Sequence, residues 1–269
     1  MDNFKTFLIV LWIAFFIFIL IQLLIEIKYR IWIRSLKKTP PPPLLIKTIA
    51  NFPQYKNLNN HQKNILHYKI LRFCKEKQFI GVKLKITDEI KYTISFFACI
   101  PTISFKDFCY PMLQYIYVYP HTMILNQKSI INDIASHETV LISGEAVGEA
   151  VVIAWDELKK EIKTNKRNVV IHEFAHELDF EEGAVNGIPP LEKEQFGEWS
   201  KIMYGEYKKF KKRLSLNRFL GKYSLIDKYA ATNPAEFFAV MSEYYFSKPD
   251  ILKKHFPDIH KELKKFYKV

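Results

Sequence analysis

Asn168-Val169-Val170-Ile171-His172-Glu173-Phe174-Ala175-His176-Glu177-Leu178-Asp179 contains the pattern His-Glu-x-x-His inside an apolar run. On an α-helix, residues four apart lie one turn above each other, so His172 and His176 can aim imidazole nitrogens at one point, a bite suited to a tetrahedral zinc ion. Glu173 sits just off that line, where a carboxylate reaches a water on the ion rather than the ion itself; that is the general-base position of zinc hydrolases. An accidental match would most often be a surface turn. The apolar neighbours Val169, Val170, Ile171, Phe174, Ala175 and Leu178 describe instead a largely buried helix. His and Glu left uncompensated are costly in such a helix, and metal binding accounts for their presence.

Outward from this helix, Asn165 or Asn168 can cap its start and Gly183 can end it. Upstream, Glu149–Trp155 reads as a strand followed by a polar helical turn at 156–163, and Tyr115–Tyr119, bounded by Pro111 and Pro120, reads as another. The 149–155 strand is expected either to be an edge that aligns a substrate backbone by β-addition or to be plain sheet core. Residues 57–79 have the apolar spacing of an amphipathic helix, a second helix is expected over about 87–100, and helices fill most of 191–269. Asn186-Gly187-Ile188-Pro189-Pro190 is a loop by composition.

A catalytic zinc takes three protein ligands and leaves one position open. Position 179 is Asp and 182 is Glu, so the Gly and third His of the metzincin pattern are absent. The alternative is a distant Glu on a second helix. The segment Tyr229–Val240 has the marks of a helix start, with Asn233 as N-cap, Pro234 first in the helix and Glu236 third. Glu236 is then either the third ligand or a capping-box carboxylate. Asp179 lies on the metal face, as a carboxylate orienting a ligand imidazole or as a surface group. Glu243, two turns beyond Glu236, could orient a histidine.

At the N-terminus, the twenty residues from Thr6 to Ile25 include only Thr6 and Gln22 as polar members, giving a helix of about 30 Å, enough to cross a bilayer. A cleaved signal peptide is the rival reading, but the run is long for an h-region and no small-x-small site follows, so an uncleaved anchor is expected. Asp2 and Lys5 precede the span; Lys28, Arg30, Arg34, Lys37 and Lys38 follow it. The positive-inside rule then puts the bulk of the chain in the cytoplasm, on the inner membrane, with a single pass. Pro40–Pro43 suggests a stiff spacer of roughly 12 Å. The expected division is an anchor at 1–30, a basic, proline-rich linker at 31–50 and a globular domain at 51–269.

Composition agrees. The 269 residues are 49% hydrophobic, enough for one sizeable core beside the anchor. Three cysteines without Cys-x-x-Cys spacing argue against a disulfide framework and fit a reducing compartment better. The +12 charge is spread over stretches such as 201–214 and 252–268 rather than gathered in a nucleic-acid-binding motif. Attraction to an anionic membrane surface is its more natural use.

Taken together, His172-Glu173-Phe174-Ala175-His176-x-Leu178-Asp179 and Tyr229-Ala230-x-Thr232-Asn233-Pro234-x-Glu236-Phe237-Phe238-Ala239-Val240 resemble the Mlc titration factor A family of zinc peptidases. Ser143-Gly144-Glu145, Val151-Val152-x-x-Trp155-Asp156 and Asn186-Gly187-x-Pro189-Pro190 fit the same pattern. The similarity covers about 45–269, and the anthrax lethal factor catalytic domain shares the two-helix arrangement more distantly. The resemblance implies an α+β, mainly helical gluzincin domain with a small sheet. It implies one zinc per chain held by His172, His176 and Glu236, Glu173 as catalytic base, and Tyr229 as a phenol near the reacting oxygens, where a packing tyrosine is the plainer reading. It implies a peptide or protein substrate, with aminopeptidase activity suggested by the family alone. The anchor and proline run fall outside the shared core. The family is linked to a transcriptional repressor of sugar uptake, a role that no residue here carries. A second reading is a regulatory protein whose zinc is structural and which sequesters a cytoplasmic partner such as a transcriptional regulator; retention of Glu173 argues against it.

Overall fold

The computed structural model describes residues 2–131, 134–142, 144–147, 149–165, 167–181, 183–216 and 220–269. They fall into two units, Met1–Pro41 and Pro42–Val269. The first is a single helix, α1 (Asp2–Lys38). A helix apolar on every side belongs in a protein core or in lipid, and the apolar side chains of α1 are exposed in the main. Within Phe4–Lys38 an 18-residue stretch reaches a mean hydropathy of 3.1, and the helix is long enough to cross a membrane, as an anchor or a signal sequence would be.

The second unit starts earlier than the proline run suggested. Pro43 is the first residue of α2 (Pro43–Ile49), where a ring without an N–H costs nothing, and Leu45 and Ile49 of α2 are fully buried. The expected 31–50 linker therefore narrows to Thr39–Pro42 between two helices. After α3 (Pro53–Lys56), α4 (Asn60–Glu76) opens on a capping box between Asn59 and Gln62. A short strand β1 (Gln78–Gly81) follows, then α5 (Asp88–Cys99), capped by the Thr87 hydroxyl. Next come β2 (Tyr115–Tyr119), β3 (Met123–Ile131), β4 (Ile134–Ile142), β5 (Gly144–Val147) and β6 (Ala150–Ala154). Then α6 (Trp155–Thr164), α7 (Val169–Phe180), α8 (Phe196–Trp199), a π-helical turn at Ser200–Tyr204 and α9 (Gly205–Ser215) succeed one another. Past a 3-10 turn at Lys228–Ala231, α10 (Pro234–Ser247), α11 (Pro249–His255) and α12 (Pro257–Tyr267) each begin with proline.

The sheet has the order β1-β2-β6-β5, with the first three strands parallel and β5 antiparallel to β6. Strand β6, which sequence placed as either edge or core, is paired on both sides; β5 is the edge instead. β3 and β4 form a separate antiparallel ribbon. Strand β1 and this ribbon were not foreseen.

Helix α7 packs between the β5–β6 side of the sheet and α10. Phe174 anchors its inner face, 4.8 Å from the Tyr110 ring and 5.6 Å from that of Phe73. The segment carrying Tyr110 is fastened by buried cations of α4 and its end: Lys69 donates to Phe105 O and Phe108 O, Arg72 to Asp107 O, and Lys77 to Tyr110 O and Leu113 O. Charged donors on carbonyls satisfy loop groups that no helix or sheet reaches. The three cysteines are free.

Candidate metal centre

Helix α7 begins where sequence placed it. Asn168 is the N-cap, its Oδ1 accepting the Ile171 N–H at 3.0 Å, while Asn165 ends α6 in the left-handed region. Two acids take further free N–H groups at this end: Glu243 Oε1 accepts from Asn168 at 3.0 Å and Glu161 Oε2 from Val169 at 2.7 Å. Carboxylates suit the positive end of a helix. Burial nevertheless raises the Glu161 carboxyl, to about 7.

One turn in, His172 and His176 bring their rings to 5.0 Å, and both Nε2 atoms face the same oxygen, Glu236 Oε2, at 3.1 and 3.3 Å. Glu236 is brought there by the start of α10: Asn233 caps it by accepting the Glu236 N–H at 2.9 Å, and Pro234 leads the helix. The carboxylate itself turns to the histidines and to Tyr229, whose hydroxyl donates to Oε1 at 3.2 Å. Burial penalises the Glu236 carboxylate, but the two imidazoles outweigh it and hold the group down at about 2. His172 shows the converse: burial pulls it down, while Glu236, Glu243 and Glu173 together lift it to about 10.

These donors fit a metal ion. Around a tetrahedral ion with bonds of about 2.0–2.2 Å, neighbouring donors stand about 3.4 Å apart. The observed 3.1 and 3.3 Å are close to that edge length, and one ligand atom from each of the three residues lies within 4.8 Å of the others. Two imidazoles and one carboxylate are also the donor types such a site uses.

Around this trio, Glu173 is buried, and its charge acts on both His172 and Tyr229. Tyr229 is half exposed on its 3-10 turn, with its phenol pushed up to about 12, by burial first and then by Glu236. Glu243 Oε2 stands 3.7 Å from His172 Nδ1, an ion-pair distance, on the face sequence assigned to it. Asp179 is fully buried, but both of its oxygens are engaged elsewhere. They accept the N–H groups of Gly187 and Ile188 at 2.7 and 2.8 Å, so Asp179 fastens the loop after α7, while its charge also interacts with His176. Of the resembling motifs, Ser143 lies outside the described residues.

Sequence reasoning missed Asp227 and Arg167. Asp227 Oδ1 accepts the Tyr229 N–H at 2.9 Å and caps the turn that carries the phenol; Arg167 pairs with its other oxygen at 3.3 Å. An Asp two residues before a Tyr in a turn is a readable cap signal. Nothing local announces the Arg167 partner sixty residues away.

A small, mostly parallel sheet, a helix presenting two histidines and a second helix presenting a carboxylate define a zincin-like domain. Comparison with known proteins is more specific. Residues 28–268 match the glucose-regulated metallo-peptidase M90 family, and the chain belongs to that family. It is 32% identical over 242 residues to an uncharacterised protein of Synechocystis, covering 87% of this chain and 86% of that one. Proteins named Mlc titration factor A are also similar: that of Pectobacterium atrosepticum at 29% identity (73% of this chain, 75% of that one) and that of Yersinia pestis at 26% (81% and 82%).

Proposed function

We propose that this chain is a membrane-tethered, zinc-dependent peptidase. The observation that carries the reading is the convergence of His172 Nε2, His176 Nε2 and the Tyr229 hydroxyl on the Glu236 carboxylate, beside a buried Glu173. Zinc held by His172, His176 and Glu236, one per chain, would act as a Lewis acid on water and on the scissile carbonyl. Glu173 takes the proton of the attacking water and passes it to the leaving amine. The Tyr229 hydroxyl leaves Glu236 and donates to the carbonyl oxygen as negative charge develops there. Glu243, 3.7 Å from His172 Nδ1, is placed to close on it and so keep Nε2 aimed at the ion.

Helix α1 acts as the anchor, its apolar core from residue 6 to 25 in the bilayer. The cations Lys28, Arg30, Arg34, Lys37 and Lys38 keep the domain on the cytoplasmic face. The domain proper, residues 51–269 with α2 before it, holds the whole site. Removal of N-terminal residues from peptides, as the family resemblance suggests, is the activity assigned to it. The relatives' name, Mlc titration factor A, favours a second reading, in which the site's principal partner is a cytoplasmic regulatory protein that is bound and not cleaved.

The full chain in lipid nanodiscs tests this, wild type beside Glu173→Gln, by zinc content and by cleavage of a mixed peptide library. One zinc in both, with cleavage in wild type alone, is the expected result. One zinc in both with cleavage in neither moves the regulatory reading ahead, and a folded protein without zinc sinks both.

A further inference from the structure

We infer that the site selects peptides carrying a bulky, uncharged apolar side chain beside the scissile bond, received in a cavity between the loop after α7 and the start of α10. The inference rests on the peptidase reading and names the substrate class.

The cavity holds about 250 Å³ between the 186–188 loop, the π-helical turn and the first turn of α10. Ile188, Trp199, Met203, Pro234 and Phe237 supply apolar walls, Ser200 also lines it, and among the described residues no charged side chain does. A dry cavity of about 150 Å³ already takes benzene, so this one suits a phenyl, an indole or a branched aliphatic group and rejects a charge.

Its place follows from the ligand-bearing helices. Asp179 shares a face with His172 and His176 and lies about 4.5 Å along the axis from His176. Its carboxylate grips Gly187 and Ile188, one wall of the cavity. The opposite wall, Pro234 and Phe237, flanks the ligand Glu236 in α10. Each wall is thus bonded to, or continuous with, a residue within three positions of a ligand. On this inference a chain held at the metal centre, advancing about 3.3–3.6 Å per residue, places the neighbouring side chain in this opening.

The cavity is also preformed. Gly187 has φ +82°, and a Cβ there would meet Pro234 O at 2.5 Å, so only glycine lets the loop close onto α10. Its carbonyl accepts the Trp199 indole N–H at 3.1 Å, which fixes a wall. The π-turn is an irregularity of the kind that recurs at functional sites, and Met203 within it gives an adaptable floor.

The test uses the full chain in nanodiscs with zinc and peptide pairs differing only in Phe or Ala beside the cleaved bond. Wild type is expected to favour Phe by tens of fold in kcat/KM. Ser200→Leu, which narrows the cavity, should collapse that ratio to a few-fold, and Met203→Ala, which widens it, should move the optimum to naphthylalanine. A ratio near one, or one that neither variant moves, overturns the inference. Binding of 4-fluorobenzyl alcohol, followed by its fluorine NMR signal, separates this outcome from failure of the peptidase reading. The probe should bind wild type and Glu173→Gln alike and be lost in Ser200→Leu. Binding of this kind without cleavage of any peptide leaves the cavity standing and sinks the peptidase; cleavage without it does the reverse.

Discussion

The groups that meet on Glu236 are held in contrasting ways. His172 and His176 stand on a helix buried along most of its length, whose first N–H groups are taken by Asn168, Glu161 and Glu243. Tyr229 comes from a four-residue 3-10 turn, is 50% exposed, and is held at its base by one carboxylate, Asp227. A buried, capped helix fixes its side chains through many neighbours, whereas an exposed turn depends on its few ties. On the proposed reading, the frame would set metal affinity and the turn the rate at which bound substrate reacts.

The largest effect should follow from breaking the frame. Glu236→Gln removes a ligand charge and the acceptor shared by both imidazoles. Metal affinity should fall by more than the roughly 10–100-fold typical of an outer partner, with Glu243→Gln marking that lower range. Metal content after dialysis against a graded chelator checks both, and equal losses would erase the distinction between ligand and support.

The turn gives the next effect. Tyr229→Phe should keep full metal stoichiometry and lower kcat by about 10²–10³-fold, the size of a lost donor to a developing oxyanion. Loss of metal in this variant would show that the phenol belongs to the frame. Asp227→Ala is smaller still. A missing N-cap costs about 1 kcal/mol, or about fivefold in the equilibrium that orders the turn, so kcat should drop by at most about fivefold at unchanged KM. Asp227→Asn keeps the cap and should restore most of it. Arg167→Gln should do less than either, because its ion pair with Asp227 is near half exposed on both sides and such pairs contribute roughly 0–1 kcal/mol.

The same contrast explains what the chain made legible. The 3.6-residue period exposes His172, Glu173 and His176 to a reader, and Asn233-Pro234-x-Glu236 announces a helix start, because both are local rules. That the Glu236 carboxylate turns to the histidines rather than back to its own cap is settled by α7 packing on α10, sixty residues away. Asp179 shows the same limit: its face is readable, but its partners, Gly187 and Ile188, sit in a loop whose path no periodicity encodes. Strand β1 is four residues long, and its register is set by β2, thirty-seven residues on. The carbonyl-binding lysines in α4 and just after it look in sequence like ordinary surface charge, yet Lys69 and Lys77 are buried.

The smallest effect on activity should come from Glu161, which supports the frame from outside the metal site, and it appears in stability instead. Its carboxyl is 5% exposed and sits at about 7, above the ordinary value of 4.5, because burial disfavours the charge. The folded state therefore binds this proton more tightly than the unfolded state. Its contribution to stability is complete below about pH 4.5 and is lost as pH rises from there through about 7. A gap of this size is worth on the order of 3 kcal/mol. Glu161→Gln keeps an oxygen to accept the Val169 N–H and cannot ionise. Its stability should match wild type near pH 4.5 and exceed it increasingly up to pH 7 and above, with kcat and metal content unchanged. Urea unfolding of both proteins across pH 4.5–8 reads the difference. A constant offset, or a wild type that gains on the variant as pH rises, would mean that the Glu161 charge is welcome at the start of α7 and that the helix end outweighs burial.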